Sequence, residues 1–94
     1  MCGINGFNFK DENLINQMMS LTSQRGPDGS KTYIDDKISL SHNRLSIVDL
    51  SKRSDQPFEY ENLVLSFNGE IFNYKKLKKD LISKGYKFQT TSDT

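Results

Sequence analysis

The stretch that most constrains this chain is residues 63–67, Leu-Val-Leu-Ser-Phe, which runs directly into Asn68-Gly69-Glu70. A strand sends alternate side chains to opposite faces, so Leu63, Leu65 and Phe67 share one face and Val64 and Ser66 the other. At least one of those faces needs a covering layer, either a helix or a second sheet. The chain has 94 residues, of which 34% are hydrophobic, so it can build one small domain with a modest core.

The remaining pattern supplies candidate layers. Residues 3–9 alternate as a short strand, with Ile4, Phe7 and Phe9 as its apolar side chains. Asp11 stands where a helix N-cap belongs, and Leu14, Ile15, Met18 and Leu21 follow at the spacing of one helical face. That helix should fade at residues 22–24, before the loop Arg25-Gly26-Pro27-Asp28-Gly29. Residues 31–34 and 38–42 read as two strands of a hairpin about Asp35-Asp36-Lys37. A short apolar patch at 46–50 precedes a polar run that Pro57 closes. A second helix is expected over 73–84 with Gly85 as its cap, then a last strand at 86–89. Strands flank each helix, which argues for an α+β fold with mainly antiparallel sheet.

Charge and cysteine usage narrow the class. Thirteen basic and 12 acidic residues leave a net charge of +1, so no basic excess points to nucleic acid. No run approaches the ~20 apolar residues of a membrane span, and the first residues lack the charged start and apolar centre of a secretory signal. A single cysteine permits no internal disulfide, and a soluble cytoplasmic protein is the expectation.

That cysteine is Cys2. A lone cysteine is often just a small buried hydrophobe. At position 2, however, a small residue permits removal of Met1, and the freed α-amino group can then act as base for the thiol beside it. Asn68-Gly69 reads either as a turn or as a pair of donors aimed at one carbonyl oxygen. Arg44, beside the apolar Leu45-Ser46-Ile47-Val48, suits bidentate capture of a carboxylate as well as plain surface exposure. Glu70 and Asp93 are acceptors able to receive an ammonium group. His42 has no second histidine near it in sequence, so no zinc site is expected and a structural hydrogen bond is.

Together these pieces are more specific than each alone. Cys2-Gly3-Ile4, Arg25-Gly26-Pro27-Asp28-Gly29, His42-Asn43-Arg44-Leu45-Ser46-Ile47-Val48-Asp49, Gln56-Pro57, Phe67-Asn68-Gly69-Glu70-Ile71-Phe72-Asn73-Tyr74 and Thr91-Ser92-Asp93 occur in this order. In that order they resemble a class II glutamine amidotransferase domain of the N-terminal nucleophile hydrolase type, in the form found in glutamine-hydrolysing asparagine synthetases. Domains of glucosamine-6-phosphate synthase instead carry Tyr-Asp-Ser after the Arg-Gly pair and Trp-Ala-Thr-His in place of Leu-Ser-Ile-Val.

The resemblance implies the following roles. Cys2 is the nucleophile and its α-amino group the base, while Asn68 and Gly69 form the oxyanion hole. Arg44 grips the α-carboxylate of glutamine, with Leu45, Ser46, Ile47 and Val48 along the pocket wall, and Glu70 and Asp93 receive the α-ammonium. The implied fold is an αββα sandwich longer than this chain, so a truncated, partial sandwich is expected. The Ser-Gly-Gly-x-Asp-Ser nucleotide loop of the synthetase half does not occur in these residues. No cofactor or metal is expected here, and ATP and Mg belong to the synthetase domain that would be the partner in the full-length protein. The resemblance also allows a homodimer. Its alternatives are a related enzyme that amidates a sugar or another metabolite, and a non-catalytic remnant that only binds glutamine.

Overall fold

A computed structural model of the protein describes residues 2–45 and 55–94. Its elements are β1 (Gly3–Phe7), α1 (Glu12–Leu21), a single 3-10 turn (Ser23–Arg25), β2 (Gly29–Ile34), β3 (Ser39–Arg44), β4 (Phe58–Tyr60), β5 (Leu63–Leu65) and α2 (Tyr74–Ser83). Helices and antiparallel sheets are mixed, as an α+β fold requires: one sheet has the order β1-β3-β2 and the other pairs β4 with β5.

The first half forms as its residues dictate. Asp11 adopts an extended backbone, and its carboxylate accepts the Leu14 N–H at 2.9 Å, so α1 starts at its N-cap. The hairpin β2–β3 closes through Asp35, whose Oδ1 accepts the N–H groups of Lys37 at 2.8 Å and Ile38 at 2.9 Å. Those bonds, the Lys37 amide first, hold the Asp35 carboxyl below its ordinary pKa.

β3 is the central strand, and its two faces do different work. Register places Gly3, Asn5 and Phe7 of β1 and Ser30, Thr32 and Ile34 of β2 opposite Asn43, Ser41 and Ser39. This is the face that α1 covers, and Ile15 is fully buried there. The surrounding contacts are polar. The Asn5 amide donates to Thr22 Oγ1 at 2.9 Å and to Ser41 Oγ at 3.0 Å, and Thr22 donates to Asn43 Oδ1 at 2.6 Å. Asn43 in turn donates to Ser30 Oγ at 3.0 Å. The apolar face expected from Ile4 and Phe9 is not this one, since both are more than 40% exposed.

Leu40, His42 and Arg44 alternate to the other face, toward the second sheet. Lys31, in register with His42, donates to Pro57 O at 3.2 Å and lies 3.9 Å from the Glu59 carboxylate. His42 Nε2 is 3.4 Å from Phe67 O. In β4–β5, Phe58, Tyr60, Leu63 and Leu65 share the face turned away from β3, toward α2.

Two sequence expectations need correction. The strand expected over 63–67 ends at Leu65, because β4 begins only at Phe58 and Pro57 has no N–H to extend the ladder. The Phe67 amide turns instead to the side chain of Gln56. Residues 86–89 form no strand; the chain there closes α2 through Tyr86. Gly85 N–H bonds Ile82 O and Tyr86 N–H bonds Leu81 O, with Gly85 at a φ of 95°, so this glycine lies one position beyond the cap residue Lys84. Lys78 ties the same stretch down, donating to Thr90 O at 2.8 Å and lying 5.3 Å from the Phe88 ring centre. The hairpin β4–β5 was not expected at all, although Phe58-Glu59-Tyr60 alternates as a strand should.

Residues 46–54, including the expected apolar patch, lie outside the described residues.

Gly26 shows how tightly the loop before β2 is packed. A Cβ there would lie 2.0 Å from Asn43 O and 2.2 Å from Asn43 C, both backbone atoms that cannot step aside. Gly26→Ala should therefore destabilise the protein by about 3 kcal/mol, the upper end for overpacking, measured by denaturant unfolding; a change within a few tenths of a kcal/mol would refute the packing. His42 sets a pH dependence. It is 1% exposed, and burial holds its pKa below the ordinary histidine value despite the Phe67 carbonyl, which acts the other way. The unfolded chain then binds more protons than the folded one, so stability falls as pH drops below about 6.5 and levels off below the folded value. Melting temperatures across that range should fall in the wild type and fall less in His42→Gln.

Candidate active site

The corner where β1 enters the sheet collects several motif residues. Gly3 pairs with Asn43, so Cys2 emerges beside Arg44 and Leu45. The Leu45 N–H donates to Cys2 Sγ at 3.3 Å. Gly3 is buried, and a Cβ there would meet Thr22 and the Asn43 side chain at 3.2 Å, so the small residue after Cys2 lets the strand seat this deeply. Arg25 donates from Nε to the Cys2 carbonyl at 3.3 Å, and Asp28 N–H bonds Arg44 O at 2.9 Å. The Arg-Gly-Pro-Asp stretch thus clasps the thiol-bearing residue and the end of β3 together. Sequence reading gave Arg25 no role, and only its place in that motif hinted at one.

Arg44 is 7% exposed, and its Nη1 donates to Asp55 Oδ1 at 2.8 Å. A guanidinium so buried destabilises the fold unless a counter-ion is at hand, and Asp55 serves as that ion. This partner is a residue that the sequence did not single out.

Asn68 and Gly69 lie in an irregular segment after β5, and both are exposed. The chain bends at Gly69, and among the described residues no backbone hydrogen bond closes a turn across the pair. Glu70 is exposed as well. Asp93 reaches the same segment, accepting the N–H of Ile71, the residue after Glu70, on Oδ2 at 2.8 Å. His42 makes the structural hydrogen bond anticipated for it, and its acceptor, Phe67 O, immediately precedes Asn68.

The structure thus forms two groupings. One joins Cys2, Arg25, Arg44 and Leu45, and the other joins Asn68, Gly69, Glu70 and Asp93. Strand β3 touches both, the first through Arg44 and Leu45 just beyond it and the second through His42. Ser46, Ile47 and Val48 lie outside the described residues. Among the described residues no three of His, Cys, Asp and Glu gather closely enough to hold a metal ion. No helix there is long and apolar enough to cross a membrane.

Comparison with known proteins places the chain as a whole. A family model described as a glutamine amidotransferase domain matches residues 1–94. The chain is 42% identical over 85 residues to the glutamine-hydrolysing asparagine synthetase 1 of Bacillus subtilis (strain 168), covering 88% of this chain and 13% of that protein. It is 33% identical over 104 residues to asparagine synthetase 3 of the same organism, covering 100% and 17%, and 38% identical over 78 residues to asparagine synthetase B of Escherichia coli (strain K12), covering 82% and 14%. The chain therefore spans less than a fifth of the length of these three relatives. With the family match running end to end, the chain belongs to the glutamine amidotransferase domain family.

Proposed function

We propose that this chain carries the glutamine-hydrolysing centre of an asparagine synthetase, with Cys2 as nucleophile. Once Met1 is removed, the α-amino group takes the thiol proton and the thiolate adds to the side-chain amide carbon of glutamine. Asn68 Nδ2 and the Gly69 N–H receive the oxygen that becomes negative. The protonated amine returns its proton to the departing nitrogen, which leaves as ammonia. Water then hydrolyses the glutamyl thioester to glutamate and restores the thiol.

The observation that carries this reading is the seat of Cys2. Its thiol accepts the Leu45 N–H while β3, three residues earlier, meets the backbone just before Asn68. The two attachments are three residues apart along one stretch of chain, so the thiol and the segment that carries Asn68 are both tied to the same strand end. Arg44 would bind the α-carboxylate while still paired with Asp55, a division that the several donors of a guanidinium permit. Glu70 and Asp93 would hold the α-ammonium.

The order of layers supports the partial sandwich implied by the family. α1 covers one face of the β1-β3-β2 sheet, the β4–β5 hairpin meets its other face, and α2 stands beyond the hairpin. That succession is α, β, β, α. In the full-length protein the ammonia would serve ATP-dependent conversion of aspartate to asparagine, in a synthetase domain partnered with this one.

Mature protein should lack Met1 by intact mass, and Cys2→Ala in the full-length chain should release no glutamate from glutamine. Retained Met1, or glutamate release by the alanine variant, would sink the mechanism. Asn68→Ala should slow turnover by roughly 100- to 1000-fold while KM changes little, since its bond strengthens only in the transition state. Arg44→Lys should do the reverse. It keeps a charge for Asp55 but loses the planar fork, so KM for glutamine should rise strongly with kcat nearly intact. An unchanged KM would remove the carboxylate role.

A further inference from the structure

Phe67 precedes the Asn68-Gly69 pair, and both of its backbone polar groups are taken by buried side chains. Its carbonyl accepts from His42 Nε2 at 3.4 Å, and its N–H donates to Gln56 Oε1. His42 is 1% exposed and Gln56 6%, so neither side chain is free to swing. Gln56 continues the tie through Nε2, which donates to Thr94 Oγ1 at 3.2 Å. Its neighbour Asp93 fixes the far end of the segment by accepting the Ile71 N–H. Residues 68–70 are thus slung between an anchor at Phe67 and an anchor at Ile71, and Gln56 and residues 93–94 link the two.

We propose that His42 and Gln56 are positioning residues for glutamine hydrolysis, holding the Phe67 peptide so that Asn68 and Gly69 meet the developing oxyanion. This rests on the oxyanion role given to Asn68-Gly69 above. The sheet cannot supply that placement, because the β5 ladder ends at Leu65. Oxyanion donors act only when fixed in advance at the right distance, and a displacement of about 1 Å costs on the order of 100-fold in rate. The choice of residue supports a functional cause. His42 sits in the interior with no hydrogen-bond partner for Nδ1 among the described residues, and a buried polar atom left unpaired destabilises the fold. An apolar side chain would pack between the two sheets without that penalty, but it could not hold the Phe67 carbonyl. Features that cost stability in this way gather at functional sites.

The test uses the full-length protein with four variants: His42→Leu and Gln56→Leu, which remove the contacts, and His42→Gln and Gln56→Glu, which keep a donor or acceptor. Each is assayed for glutamine turnover, for binding of glutamate, and for binding of a glutamine-derived aldehyde. Addition of the Cys2 thiolate to that aldehyde places a negative oxygen where the oxyanion forms. Both leucine variants should lose about 10- to 100-fold in kcat with KM within about threefold of wild type. Aldehyde affinity should fall in step with kcat/KM, glutamate affinity should hold, and the conservative variants should recover most of the loss. Wild-type kcat and aldehyde affinity in the leucine variants would overturn the proposal. So would a parallel loss of glutamate and aldehyde binding, or conservative variants no better than leucine, including by failure to fold. Glutamine hydrolysis by Cys2→Ala would instead strike the underlying reading, so the two failures are distinguishable.

Discussion

The structure depends on β3 being used on both faces at once. Ser39, Ser41, His42, Asn43 and Arg44 are all buried, although none is a hydrophobic residue. A strand of this composition is stable in an interior only if nearly every side chain finds a hydrogen-bond partner. Neighbouring elements supply those partners: Phe9 and Asp11 for Ser39, Asn5 for Ser41, Thr22 and Ser30 for Asn43, Asp55 for Arg44. The position of β3 therefore dictates where β1 ends, where the Arg25–Asp28 loop lies, and where Cys2 emerges.

This arrangement trades stability for definition. Among the described residues Ile15 is the one hydrophobic side chain in the fully buried core. Net hydrogen-bond contributions are modest, about 1 kcal/mol each, so the polar network specifies one geometry more than it deepens the well. On the other side of the molecule the apolar residues are present but unclosed. Phe58, Leu65, Tyr74, Leu77 and Phe88 border a cavity of about 460 Å³ between the hairpin and α2, and Leu63 and Tyr86 are 65% and 58% exposed. The helix here is held by its Schellman closure and by Lys78 more than by packing onto the sheet.

What was legible in the sequence was what local chemistry decides. Asp11 capped its helix, Asp35 closed its hairpin and Gly85 ended the second helix, because each acts on backbone within a few residues. The strand at 63–67 was read too long because its alternation says nothing about where a partner strand begins. Residues 86–89 looked like a strand from composition, yet the Tyr86 amide closes α2 and Lys78 holds the stretch through the Phe88 ring and Thr90 O. At the site, Cys2, Arg44, Asn68 and Asp93 stood out by type and order, whereas Arg25, Asp55 and Gln56 did not. Their roles are contacts across 11 to 23 positions of sequence, and nothing in their immediate neighbours announces such partners.

The same distinction explains why Asn68-Gly69 misleads when read locally. An Asn-Gly pair forms a tight hairpin turn when two strands of matched length flank it and pull it closed. Here the strand before it stops at Leu65, and the chain after it turns into α2, so no such pull exists. The peptide at Phe67 is drawn sideways by His42 and Gln56, and the amide of Ile71 is drawn to Asp93. Asn68 and Gly69 are exposed, and among the described residues neither the Asn68 side chain nor the Gly69 N–H has a hydrogen-bond partner. Donors kept unspent on a fixed frame are what an oxyanion site requires. The long-range contacts that sequence conceals are thus the ones that turn an ordinary turn pair into a candidate for catalysis.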